Sequence, residues 1–127
     1  MAAVKIFFDG GCRPNPGPME TAVVARGIAH VVADAGHGSS SEAEWRALLA
    51  AVALARAQGW QDVVLVGDSL ATVEQARGRI GCRNPVLDRL RREYQALAAP
   101  IARVRLRHVP RARNLAGTVL EKRHGRL

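Results

Sequence analysis

The sequence is poor in cysteine and lysine, carries less acid than base, and has no long apolar run. Its two cysteines, Cys12 and Cys82, are too few for a disulfide framework, and neither has the paired Cys/His spacing of a zinc site. Both are expected as reduced thiols. The longest apolar stretch, Ala47 to Ala55, is nine residues between Arg46 and Arg56, which is less than half of a membrane span and excludes a spanning helix. Residues 1–10 lack the charged start and long greasy middle of a secretion signal, so the expected compartment is the cytoplasm. The loop CRPNPGP lacks the lysine of a nucleotide-binding P-loop, which disposes of an ATPase.

Positive charge is what the chain has most of. Lys plus Arg number 19 against 11 Asp plus Glu, a net charge of +8, so the expected partner is a polyanion, nucleic acid first. Lys5 and Lys122 are the only lysines, so the charge is nearly all arginine, which grips phosphate through a planar fork. With 127 residues, 48% of them apolar and 24% charged, the chain is expected to form a single globular domain over 1–127.

Hydrophobic patterning predicts a mixed α/β order. Val4 to Phe8 reads as a strand that hands Asp9 to a Gly/Pro loop, and Thr21 to Ala35 reads as a hairpin turning at Arg26-Gly27. Gly36 to Ser41 is expected as loop, and Ser41 to Gln58 as the longest helix, stopped by Gly59. Asp62 to Val66 is a continuous apolar run, the mark of a strand buried on both faces, and it leads to Asp68. A short helix from Ser69 to about Ala76, a helix opened by Asn84-Pro85 and closed by Pro100, and an edge strand from Ile101 to His108 follow. A last helix begins near Asn114 and frays towards Leu127. These elements amount to a five-stranded mixed sheet, three N-terminal antiparallel strands and then parallel ones, flanked by helices.

Asp9 and Asp68 follow separate strands, and open α/β sheets place their chemistry at the carboxyl ends of strands. If those strands are parallel neighbours and the long helix packs over them, Glu44 joins the pair. Nothing basic lies beside the three in sequence, so a hard divalent cation, Mg²⁺ or Mn²⁺, is the natural counterion. Carboxylates, such an ion and a basic surface together point to phosphodiester hydrolysis. Each acid also has a plain structural reading. Glu44 closes a capping box over Ser41-Glu42-Ala43-Glu44, Asp9 forms the turn before Gly10-Gly11, and Asp68 caps the helix starting at Ser69.

At this point the residues carry a resemblance. FFDGGCRPNPGP resembles the first-strand motif of type 1 ribonuclease H, SEAEWRALLAAVALARAQG its catalytic-glutamate helix, and VLVGDSLATV its third-acid strand and helix. CRNPVLDRL followed by HVPRARN is similar to its later segments, so the likeness runs in order from about residue 4 to 121. It implies an RNase H-like fold and hydrolysis of the RNA strand of RNA/DNA hybrids to 5′-phosphate and 3′-hydroxyl ends. The implied metal ligands are Asp9, Glu44 and Asp68, holding two Mg²⁺ or Mn²⁺ ions when substrate is bound. The fourth catalytic position falls on Thr118, where the family has an Asp; a hydroxyl cannot supply that anionic ligand. Glu121, one helical turn on, is either a longer substitute or a solvated charge.

The resemblance also implies the substrate contacts. Gly10, Gly11, Cys12 and Asn15, with Arg13 in the same loop, match positions that approach the RNA 2′-hydroxyls. Ser40 and Ser41 stand where the family has asparagines, Ser69 matches a family serine, and Arg111 replaces a loop histidine with a permanent cation suited to phosphate. No basic handle helix lies between Ala76 and Asn84, which leaves Arg77, Arg79, Arg83, Arg111 and Arg113 as candidates for grip. The expected partner is an RNA/DNA hybrid bound by a monomer. The competing reading is a non-catalytic binder of hybrid or double-stranded RNA, against which stands the retention of three acids that repel phosphate. An esterase reading of Gly67-Asp68-Ser69-Leu70 fails because no histidine after Ser69 has an Asp three residues upstream to orient it.

Overall fold

The computed structural model describes residues 2–125. Strand β1 (Val4–Cys12) runs antiparallel to β2 (Gly17–Ala25), and β2 to β3 (Ile28–Val32). The β2–β3 turn is Arg26-Gly27, both at positive φ (52° and 77°), the backbone a two-residue hairpin requires. A two-residue strand, β4 (His37–Gly38), pairs with the start of β2, where the sequence reads as loop. Helix α1 (Ser40–Gln58) leads to β5 (Asp62–Gly67), α2 (Leu70–Ala76), α3 (Pro85–Ala98) and β6 (Arg103–His108). A 3₁₀ turn at Arg111–Arg113 then introduces α4 (Leu115–Arg123). The expected fraying extends into residues 126–127, which lie outside the described residues.

The sheet order is β3-β2-β1-β5-β6 with β4 attached to β2, which corrects the expected five strands to six. β5 is parallel to both β1 and β6, so the antiparallel-then-parallel arrangement and the flanking helices are as expected. β6 forms an edge, and its arginines 103, 105 and 107 are exposed while Val104 and Leu106 lean on the core.

Alternation along β1 sorts the two layers. Val4, Ile6 and Phe8 face α1 and α3, meeting Trp45, Leu48, Val52, Leu90 and Tyr94 in the main core. Trp45 is fully buried, packs edge-on against Tyr94 at 6.1 Å between ring centroids, and donates Nε1–H to Gln75 Oε1 at 3.0 Å. On the other face, Ala22 and Val24 of β2 pack with Ala116 and Leu120 of α4, joined by Phe7 and Val119. Helices thus cover both faces around β1 and β2.

Candidate active site

The last parallel pair between β1 and β5 is Phe7 with Val66. Asp9 and Asp68 each lie two residues beyond it, so the period of two carries both carboxylates to one side of the sheet, at the end where the strands part. Asp9 is still inside β1, paired with Ala22, so it is not a turn former: β1 extends to Cys12 rather than ending at Phe8.

Glu44 arrives from the first turns of α1. The helix begins one residue earlier than the sequence suggests and its cap is Ser39, whose hydroxyl accepts from the Glu42 N–H at 3.1 Å. The capping-box position therefore belongs to Glu42, which pairs with Arg46, and Glu44 is released for the site. Its Oε1 accepts from the Gly10 N–H at 2.5 Å. That contact needs a glycine, since a Cβ at residue 10 would lie 2.1 Å from the Ala43 carbonyl oxygen. Asp68 is likewise not the cap of α2, because Ser69 is; its hydroxyl accepts from the Thr72 N–H at 3.3 Å and sits 2.9 Å from Thr72 Oγ1.

Oxygens of Asp9, Glu44 and Asp68 lie within 4.8 Å of one another. Asp9 is 1% exposed and its Oδ2 has no hydrogen-bond partner, an uncompensated buried oxygen of the kind a cation satisfies. Burial, reinforced by the charge of Asp68 and opposed by Arg111, pushes the Asp9 pKa up to about 6. Burial and the Asp9 charge hold Glu44 well above the usual carboxylate range, against the pull of the Gly10 N–H. Three hard oxygen donors crowded together with a partnerless oxygen among them fit a divalent cation.

Two residues of the 3₁₀ turn and α4 complete the site. Asn114 is fully buried; its Nδ2 donates to the Phe8 carbonyl at 3.0 Å and to Asp68 Oδ2 at 2.8 Å, while its Oδ1 accepts from the Ala116 N–H and caps α4. It ties β1, Asp68 and α4 together. The sequence marks it as a helix start and as the last residue of the HVPRARN segment, and neither reading assigns it a hydrogen-bonding role in the site. Arg111 donates Nη1 to Asp9 Oδ1 at 2.7 Å and to Asp68 Oδ2 at 3.1 Å, and Nη2 to Glu121 Oε1 at 2.9 Å. The cluster that has no base beside it in sequence therefore has one in space. Burial opposes the charge on Arg111, but the bond to Glu121 and the charges of Asp9 and Asp68 raise its pKa.

Thr118 lies on α4, and its Oγ1 donates to the Asn114 carbonyl, one turn back, at 3.4 Å. Glu121, with Arg111 on one side and Arg13 Nη2 at 3.7 Å, is an ion-paired acid rather than a solvated one. In the Gly/Pro loop, Asn15 Oδ1 accepts from the Ser40 N–H at 3.0 Å, fixing loop to helix, and Ser41 is exposed nearby. Cys12 turns inward: its buried thiol donates towards the carbonyls of Gly38 at 3.2 Å and Pro14 at 3.3 Å, so its side chain braces the loop and only its backbone is left to meet a ligand. Both cysteines are free thiols, as expected. Arg77 is drawn to Glu74 and the Leu106 carbonyl, Arg79 to Glu74, and no helix among the described residues is long and apolar enough to cross a membrane.

A mixed sheet with helices on both faces and three carboxylates gathered where two parallel strands part defines an α/β protein built around an acid cluster. The chain belongs to the RNase H-like family: residues 7–124 match the family model described as reverse transcriptase-like. It is 37% identical to the bifunctional protein Rv2228c of Mycobacterium tuberculosis over 87% of this chain and 32% of that protein. It is 34% identical to ribonuclease HI of Halobacterium salinarum over 87% of this chain and 58% of that one. The chain thus spans about a third to somewhat over half the length of these curated relatives. The crystal structure of the Halobacterium salinarum RNase H1 superposes with a TM-score of 0.85 and 32% identity, covering 98% of this chain and 99% of that one. LC11-RNase H1 in complex with an RNA/DNA hybrid gives a TM-score of 0.79 at 26% identity, with 88% of each chain covered.

Proposed function

We propose that this chain is a divalent-cation-dependent ribonuclease H that hydrolyses the RNA strand of RNA/DNA hybrids, leaving 5′-phosphate and 3′-hydroxyl ends. The observation that carries the reading is the buried, partnerless Oδ2 of Asp9 within a triad of carboxylate oxygens. Asp9, Glu44 and Asp68 would hold the ion, which supplies charge for the phosphodiester oxygens and acidifies the attacking water. Gly10 fixes Glu44 through its N–H, and Asn114 fixes Asp68, so two of the three ligands are aimed by bonds from the fold itself. The loop from Gly10 to Asn15, braced by the Cys12 thiol and by Asn15 on Ser40, would present its backbone to the RNA 2′-hydroxyls, with Arg13, Ser41 and Ser69 as further substrate contacts. The hybrid complex of LC11-RNase H1 and the ribonuclease HI relative support the substrate assignment.

Thr118 stands at the position of the family's fourth acid, so this chain should need more metal, and favour Mn²⁺ over Mg²⁺ more, than a Thr118→Asp variant does. Cleavage of an end-labelled hybrid across both ions, with the chain, Asp9→Asn and Thr118→Asp, tests the reading. Activity lost in Asp9→Asn and raised in Thr118→Asp at low metal supports it. No cleavage by the chain at any metal concentration, with tight hybrid binding and activity restored by Thr118→Asp, would instead make it a binding module.

A further inference from the structure

The geometry points to Arg111 as a built-in cation of the carboxylate cluster, so that the site takes up one divalent ion in place of two. The inference rests on reading the three carboxylates as a cation site. Nη1 of Arg111 lies between one oxygen of each aspartate, at 2.7 and 3.1 Å, and thereby joins the end of β1 to the residue that follows β5. The other oxygen of Asp9, Oδ2, is buried without a hydrogen-bond partner and would be available to one cation. Charge agrees with geometry. The three carboxylates and Glu121, less Arg111 and Arg13, leave two negative charges, which one divalent ion balances.

Helix α4 is shaped for the arginine. Gly117 lies against the guanidinium, and a Cβ there would come within 3.2 Å of Cζ, closer than most side chains approach. Thr118 contributes no charge facing the cluster, whereas Glu121 one turn on accepts from Nη2 at 2.9 Å. The helix therefore spends its acid on holding Arg111, with Arg13 steadying the same carboxylate.

Binding of Mn²⁺ alone, followed by the electron paramagnetic resonance of the free ion, tests this without reference to activity. The chain and Arg111→Lys, which keeps the charge, should each bind one ion with similar affinity. Arg111→Gln should bind its first ion at least about tenfold more tightly, because a unit positive charge a few ångströms away is gone. Arg111→Gln combined with Thr118→Asp should bind two. Two ions on the unaltered chain, or an affinity that Arg111→Gln leaves unchanged, would overturn the inference while leaving the cation site standing. Mn²⁺ bound by none of the proteins would overturn the cation site and this inference together.

Discussion

Replacing Asp9 by Asn should stabilise the metal-free protein above pH 6, although it removes a group placed at the centre of the site. Asp9 is buried beside Asp68 and Glu44, and its pKa is pushed from 3.8 to about 6. The folded state therefore holds a proton that the unfolded chain releases near pH 4, and stability is lost as pH rises from about 4 to about 6. At roughly 1.4 kcal/mol per pH unit, that interval amounts to about 3 kcal/mol, fully felt above pH 6. Asn keeps an oxygen for Arg111 but weakens a charge-assisted bond by about 1 kcal/mol, leaving a net gain of about 1 to 2 kcal/mol. Its new amide can also donate to Glu44, which lies in the same cluster. Thermal unfolding in EDTA should place Asp9→Asn above the unaltered chain by several degrees at pH 8, with the gap closing near pH 4. Saturating Mn²⁺ should reverse the order at pH 8, since only the aspartate gains a cation. An Asp9→Asn protein less stable than the parent in EDTA at pH 8 would refute the reasoning.

The register of the α1 cap can be tested by urea unfolding: Ser39→Ala should cost about 1 kcal/mol, as the loss of an N-cap does, while Ser41→Ala, exposed inside the first turn, should cost only a few tenths. Asn114→Ala should cost about 2 to 4 kcal/mol, because it strands the buried Phe8 carbonyl and removes the cap of α4, and it should also slow any hydrolysis by releasing Asp68.

Much of this was legible in the order of apolar runs. The unbroken run Asp62–Val66 and the alternation after Ile101 identify a central and an edge strand because burial on two faces and on one leave different periods. The Arg26-Gly27 turn is written in residues that accept positive φ. Register at the helix start was less legible, since three serines in succession, Ser39 to Ser41, offer equivalent caps by local sequence, and the contacts that hold this end, Asn15 on Ser40 and Gly10 on Glu44, come from a distant loop. β4 is two residues long and held by pairing to β2, a contact without a local signature. The three acids could be placed on strands and a helix, yet the cation set among them comes from a position 102 residues beyond Asp9. Local patterning has no access to such a pair, and the same holds for Asn114 and Phe8, 106 residues apart.

The central claim is that Glu44, freed from capping and aimed by Gly10, serves a phosphodiester-cleaving cation site with Asp9 and Asp68. The most direct measurement is the rate at which the chain and Glu44→Gln cut the RNA strand of an end-labelled RNA/DNA hybrid in Mg²⁺, with urea unfolding of both proteins in EDTA alongside. Cleavage by the chain, a fall of at least about a hundredfold in Glu44→Gln, and a variant as stable as its parent or more so are the expected results. Equal rates for the two proteins, or a loss of activity that tracks a loss of fold, would contradict it.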